Sequence, residues 1–228
     1  SEATSNGMTL REKQVLGYVC VAHGANHMLD LTYAAILGVV AIEFGVSLVL
    51  LGAFATASAL ALGICALPAG FLSDRIGSRR TLVLCLYGSA AAAVLVAASP
   101  SVWLLGATLT LMGITGGLYH PAGISYITRE IRQRDKGLGY HGVAGSAGIF
   151  LAPPLATVMV GLWSWRAAFL LVSAITAVAA LVMQRGTLEG GERANAADAS
   201  AQSEGATPAA SWDRRKYLFP LLAVFGVN

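Results

Sequence analysis

Charge is what this sequence has least of. Only 12% of its 228 residues are Asp, Glu, Lys or Arg, against roughly 25% in soluble domains. That shortage excludes an ordinary water-soluble globular chain. Cysteine is also scarce. Cys20, Cys65 and Cys85 are the only three, and each sits inside an apolar run, which excludes a disulfide framework and a thiolate metal cluster. No phosphate-cradling glycine loop, nucleophile elbow or Cys/His zinc spacing is present. We therefore expect no enzyme, no metal site and no cofactor. The formal net charge is +3, yet the basic residues sit in short gaps and form no aromatic-interleaved patch, so a nucleic-acid partner is excluded too. The first 13 residues are polar and the run behind them is too long for a signal-peptide core.

What the chain does have is long apolar runs. Hydrophobic residues make up 56% of it, and its mean hydropathy is +0.66. The runs cover residues 14–42, 47–72, 81–98, 102–128, 137–162 and 167–183. A helix needs about 20 apolar residues to cross hydrocarbon, whereas membrane strands are about 9–11 residues and alternate. Backbone groups in lipid must be satisfied within the segment. The sequence therefore predicts an all-α membrane protein of six transmembrane helices in a lipid bilayer.

Lysine and arginine set its orientation. Of the 15 Lys and Arg residues, all but Arg166 lie in the N-terminal tail, the second-to-third gap, the fourth-to-fifth gap or the segment after run six. By the positive-inside rule the N-terminus and these gaps are cytoplasmic. The domain expectation is a tail over 1–13, a six-helix bundle over 14–183, and a flexible cytoplasmic linker over 184–216, small, polar and mixed in charge. Residues 217–228 are apolar but too short to span, and read as the truncated start of a seventh helix.

Between runs two and three lies Gly70-Phe71-Leu72-Ser73-Asp74-Arg75-Ile76-Gly77-Ser78-Arg79-Arg80. From the residues alone, Gly70 is expected to let helices pack and Gly77 to permit a tight turn. Asp74 is expected near the start of the third helix, against its positive dipole end, and the arginines at the headgroups. The stretch resembles the loop between helices two and three of major facilitator superfamily transporters, G-x-L-x-D-R-x-G-R-[KR]-x. Trp165-Arg166-Ala167-Ala168-Phe169 resembles that superfamily's entry to helix six. The resemblance covers nearly the whole chain. It implies the N-terminal bundle of a major facilitator fold, built of two inverted three-helix repeats, with a C-terminal six-helix half as its missing partner. It also implies a conformational latch made of Gly70, Asp74, Arg75, Gly77, Arg79 and Arg80, with Asp74 as its acid and Arg75 and Arg79 as that acid's partners.

Two further stretches resemble the fosmidomycin-resistance branch: His23-Gly24-Ala25-Asn26-His27-Met28-Leu29-Asp30 in run one, and Gly113 to Pro121 with Tyr119-His120-Pro121 in run four. The branch's Asn-Asp is Asn26-His27 here, its acid comes later at Asp30, and Leu109 stands where a fourth-helix arginine is common. In run five, Gly145 to Pro154 resembles the antiporter pattern G-x-x-x-G-P, with Ala152 in place of the second glycine. That makes Gly145, Gly148, Pro153 and Pro154 the expected hinge of the fifth helix.

Inside the runs the polar residues are few. Asp30 is the acid well within a span, and an uncompensated carboxylate there costs about 2.5–3.5 kcal/mol. His23, Asn26, His27 and Asp30 follow i, i+3, i+4, i+7 spacing, so they share one helix face, which must line the bundle interior. Counted from the basic ends, His27 and His120 lie at similar depth, about 12–16 Å in. We expect Asp30, His27, His120, Asn26, His23 and Tyr119 to form a proton or anionic-substrate site. Structural alternatives are a hydrogen-bonded acid at Asp30 and packing histidines at His23, His120 and His141.

The expected function is secondary active transport of a small-molecule substrate by alternating access in the inner (plasma) membrane. The proton gradient is its expected energy source, and efflux is favoured over uptake. Alternatives are uptake of a small anion or metabolite, or a non-transporting scaffold or half-transporter.

Overall fold

A computed structural model of the chain describes residues 7–186. The expected linker beyond residue 186 and the short run at 217–228 lie outside the described residues. Seven helices follow one another: α1 (Leu10–Phe44), α2 (Leu48–Ile76), α3 (Ser78–Ala97), α4 (Val102–Gly116), α5 (Tyr119–Glu130), α6 (Arg134–Leu162) and α7 (Trp165–Arg185). Taken with α4 and α5 as one broken span, Val102–Glu130, they supply six spans long and apolar enough to cross a membrane.

Several ends differ from the apolar runs. α1 starts at Leu10 because Thr9 and Glu12 form a capping box: Thr9 Oγ1 accepts from the Glu12 amide, and Glu12 Oε2 accepts from the Thr9 amide at 2.7 Å. This T-x-x-E signal was readable in the sequence. α2 runs on to Ile76, so Asp74 lies in its last turn and not at the start of α3. Gly77 then turns the chain with φ 92°, a conformation costly for other residues. Ser47, Ser101 and Ser164 cap α2, α4 and α7 through their side-chain oxygens. The fourth span breaks between Gly116 and Tyr119. Pro121 follows in the first turn of α5, where its missing N–H is tolerated.

The packing shows the repeat. α1 lies most extensively on α6, and α2 on α4 with α5, while α3 pairs with α7. Exchanging spans one to three with spans four to six carries the first interface onto the second. Both depend on glycine. A Cβ at Gly148 would collide with the Gly24 carbonyl on α1, and one at Gly113 with the Ser58 carbonyl on α2. Close backbone approach through small residues is how helices associate without a hydrophobic driving force in lipid. Gly70 has no such role, because a Cβ there would meet nothing within 4 Å.

Each end of the bundle is tied by charge. At the arginine-rich end, Arg132 reaches Glu12 through its amide (2.8 Å) and Nε (3.2 Å), and Arg11 pairs with Glu130. At the other end, Glu43 accepts from Trp165 Nε1 and from Arg166 Nη1, each at 2.5 Å. The apolar core near that end gathers Leu29, Tyr33, Leu105, Trp165 and Phe169.

Candidate functional site

The predicted polar face of α1 turns inward. His23 and Asn26 are buried, and His27 and Asp30 are half-buried. Asp30 opens on a cavity of about 260 Å³ that α1, α2 and α4 enclose, with Tyr33, Ser58 and Met112 in its wall. The break after α4 brings Tyr119 and His120 beside this face. Ring centroids of His27 and His120 are 5.4 Å apart, and those of His23 and His120 are 5.3 Å apart.

A chain of contacts runs through the site. Asp30 Oδ2 lies 3.8 Å from His27 Nδ1. His27 Nε2 faces His23 Nε2 at 3.0 Å. His23 Nδ1 donates to the His141 carbonyl at 2.7 Å. The His141 ring stacks on His23 with centroids 3.7 Å apart, and its Nε2 lies 3.3 Å from Tyr119 Oη. Tyr119 Oη in turn donates to the Val19 carbonyl at 2.8 Å.

This order of contacts constrains the tautomers. His23 must keep its hydrogen on Nδ1 to serve the carbonyl, so its Nε2 presents a lone pair. A direct bond to that lone pair uses the hydrogen of a neutral His27 on Nε2. His27 Nδ1 then also presents a lone pair, and it faces the Asp30 carboxyl group. Two acceptors in such a place need a cation or an extra proton between or beside them. Asn26 adds a second unmet demand, since its Nδ2 is buried without a hydrogen-bond partner among the described residues.

Sequence reasoning left two builders of this site out. His141 supplies both a carbonyl and a stacking ring to His23. Gly145 vacates the space for His23, since a Cβ there would overlap its ring. The signal was available: His141, Gly145 and Gly148 recur at i, i+4, i+7 on one face of α6. Gly145 and Gly148 are thus contact positions against α1. Pro153 and Pro154 lie further along the same helix, inside it.

Three histidines of the site also come close together. His23, His27 and His120 place their ligating nitrogens within 4.8 Å of one another, close enough to hold a metal ion. His23 and His27 also stand at i, i+4, a spacing that sets two ligands on one helix face.

Residues of the expected latch make contacts within the bundle. Among the described residues Asp74 pairs with Arg129 of α5 at 3.1 Å, not with Arg75 or Arg79. Arg79 instead caps the end of α7, donating to the carbonyls of Met183 (3.1 Å), Gln184 (2.6 Å) and Gly186 (3.1 Å). Behind them Ser73 donates to Ser78, and Ser78 to Ser125, joining α2, α3 and α5. Arg75 and Arg80 are exposed.

Comparisons with known proteins agree with this architecture. The sequence profile of the Major Facilitator Superfamily matches residues 19–227. The chain belongs to that superfamily, a class of membrane transporters and not of enzymes. A probable L-galactonate transporter of Escherichia coli (strain K12) is 27% identical over 135 residues, which are 58% of this chain and 30% of that protein. The fold is similar to the crystal structure of a bacterial homologue of the human lysosomal transporter Spinster, in an inward-facing and unoccupied conformation. The TM-score is 0.64 at 15% identity, over 78% of this chain and 43% of that one. The chain therefore spans less than half the length of either protein, in keeping with one six-helix half of the fold.

Proposed function

We propose that this chain is the amino-terminal half of a secondary active transporter that moves a small solute by alternating access, coupled to protons, in the direction of efflux. The observation that carries the reading is the polar cluster of Asp30, His27, His120, Asn26, His23 and Tyr119 in the interior of a membrane bundle, with Asp30 opening on a cavity. Such groups are expensive in hydrocarbon and mark solute or ion paths. They lie on the first and fourth spans, the opening members of the two repeats, where transporters of this architecture place their sites. The efflux direction rests on the glycine and proline pattern of α6 and on the resemblance of α1 and α5 to the fosmidomycin-resistance branch.

The arginine-rich end is the cytoplasmic one in this reading, and the membrane is a bacterial-type inner membrane. A second six-helix half supplies the opposite wall of the cavity. The Asp74–Arg129 pair and the Arg79 cap then form the cytoplasmic surface on which that half closes. A second reading, uptake of a small organic anion, draws on the relative named for L-galactonate and on histidines able to meet a carboxylate.

The test is Asp30→Asn in the complete transporter, reconstituted in vesicles. Loss of pH-gradient-driven transport with solute binding retained is expected. Undiminished gradient-driven transport would remove Asp30 from the coupling.

A further inference from the structure

The tautomer conflict at His27 has a resolution that needs no extra proton. We infer that His23 Nε2, His27 Nε2 and a ring nitrogen of His120 form a binding site for a divalent transition-metal ion of the cobalt, nickel or zinc kind. With a metal on the two Nε2 atoms, the His27 hydrogen moves to Nδ1 and points at the Asp30 carboxylate. Both Nε2 lone pairs then meet the ion, and the His27 hydrogen faces Asp30 Oδ2 across 3.8 Å.

The distances suit this occupant. Two imidazole nitrogens bound to one zinc ion at about 2.0–2.1 Å lie about 3.3 Å apart in a tetrahedral shell. His23 Nε2 and His27 Nε2 are 3.0 Å apart, and the full set with His120 lies within 4.8 Å. His120 is half-buried at the start of α5 and completes the set by turning its ring.

The outer partners are those a metal-binding histidine needs. A ligating imidazole presents its other nitrogen to a carbonyl or carboxylate, which fixes its tautomer and plane. Here His23 has the His141 carbonyl at 2.7 Å and His27 has Asp30 at 3.8 Å. The His23 plane is further held by the parallel rings of His141 at 3.7 Å and Tyr119 at 5.2 Å. Nitrogen donors select the later first-row metals over calcium and magnesium, which take oxygen. Three protein ligands leave a position open for water or a solute group. The negative charge of Asp30 offsets part of the charge brought into the bundle.

This inference rests on the chamber being a ligand site, and not on its proton coupling or on the direction of transport. Its test is therefore equilibrium binding. The protein is purified in detergent with any affinity tag removed, and titrated with Co²⁺. The expected result is the intense visible absorption of four-coordinate cobalt, saturating at a single ion per chain and bleached by Zn²⁺. His27→Ala and His120→Ala should each weaken binding by more than about 100-fold. Asp30→Asn, which removes only an outer partner, should weaken it about 10–100-fold. Asp74→Asn, remote from the chamber, should leave it unchanged.

Should His27→Ala disturb folding, His120→Ala keeps the test decisive, and tryptophan fluorescence with a monodisperse elution profile shows that each variant is folded. Folded wild-type protein without the cobalt spectrum, or a His27→Ala/His120→Ala double variant that binds as tightly as wild type, overturns the metal site. Either result leaves the transport reading standing, because that reading is tested by Asp30→Asn in vesicles.

Discussion

Gly148→Ala should open the interface on which the histidine chamber depends. A Cβ at this position would collide with the Gly24 carbonyl oxygen and lie 2.8 Å from Gly24 C and Cα. All three atoms belong to backbone, so no side chain can rotate away. Ordinary carbon contacts are about 3.5–4.0 Å, so α1 and α6 must part by roughly 1 Å at their closest crossing. Overpacking of this kind costs about 1–3 kcal/mol. The intrinsic helix gain of alanine over glycine, about 1 kcal/mol, offsets only part of it. The net expectation is destabilisation by up to about 2 kcal/mol.

Gly142 provides the control on the same helix. A Cβ there meets nothing within 4 Å, so Gly142→Ala should be neutral or slightly stabilising. Unfolding in mixed micelles by titration with sodium dodecyl sulfate, followed by tryptophan fluorescence, measures both. Parting the helices also draws His23 away from the His141 carbonyl. Gly148→Ala should therefore weaken any ligand of the chamber, while Gly142→Ala should not. Equal stability of the two variants would refute the close-packing argument for the α1–α6 interface.

Two further expectations concern the arginine-rich end. Arg79→Ala leaves three carbonyls at the end of α7 without their donor and should cost about 1–3 kcal/mol. Arg79→Lys should recover only a fraction, because an ammonium lacks the planar fork that spans several acceptors; the same detergent titration reads both. The Asp74–Arg129 pair is exposed, with side chains 70% and 52% accessible. A double-mutant cycle of Asp74→Asn and Arg129→Gln in this chain should give a coupling of no more than about 1 kcal/mol. A much larger value would show that the pair holds the isolated bundle together.

The sequence by itself determined the number of spans, their helical nature and the grouping of basic residues on one side. These follow from local composition, because a bilayer demands about 20 apolar residues and internal backbone bonding of each span, whatever its neighbours do. The inward face of α1 was legible for the same reason: His23, Asn26, His27 and Asp30 obey the helical period, and lipid excludes them. The start of α1 was not read in this way: a tail was expected over 1–13, whereas the Thr9–Glu12 capping box sets the helix start at Leu10.

Partnerships across the bundle were decided only by the tertiary structure. Asp74 meets Arg129, 55 positions away, and Arg79 meets the end of α7 more than 100 positions away. Nothing in a local motif specifies which helix crosses its neighbour at what depth. The same holds for the histidines. The period of α1 aligns His23 with His27, but the break at Gly116–Leu118 brings His120 against them. The glycines of α6 let His141 approach close enough to fix the His23 tautomer. The chemistry of the chamber depends on nitrogen atoms 3.0 Å apart, and such separations are set by packing between helices, which a sequence read one segment at a time does not contain.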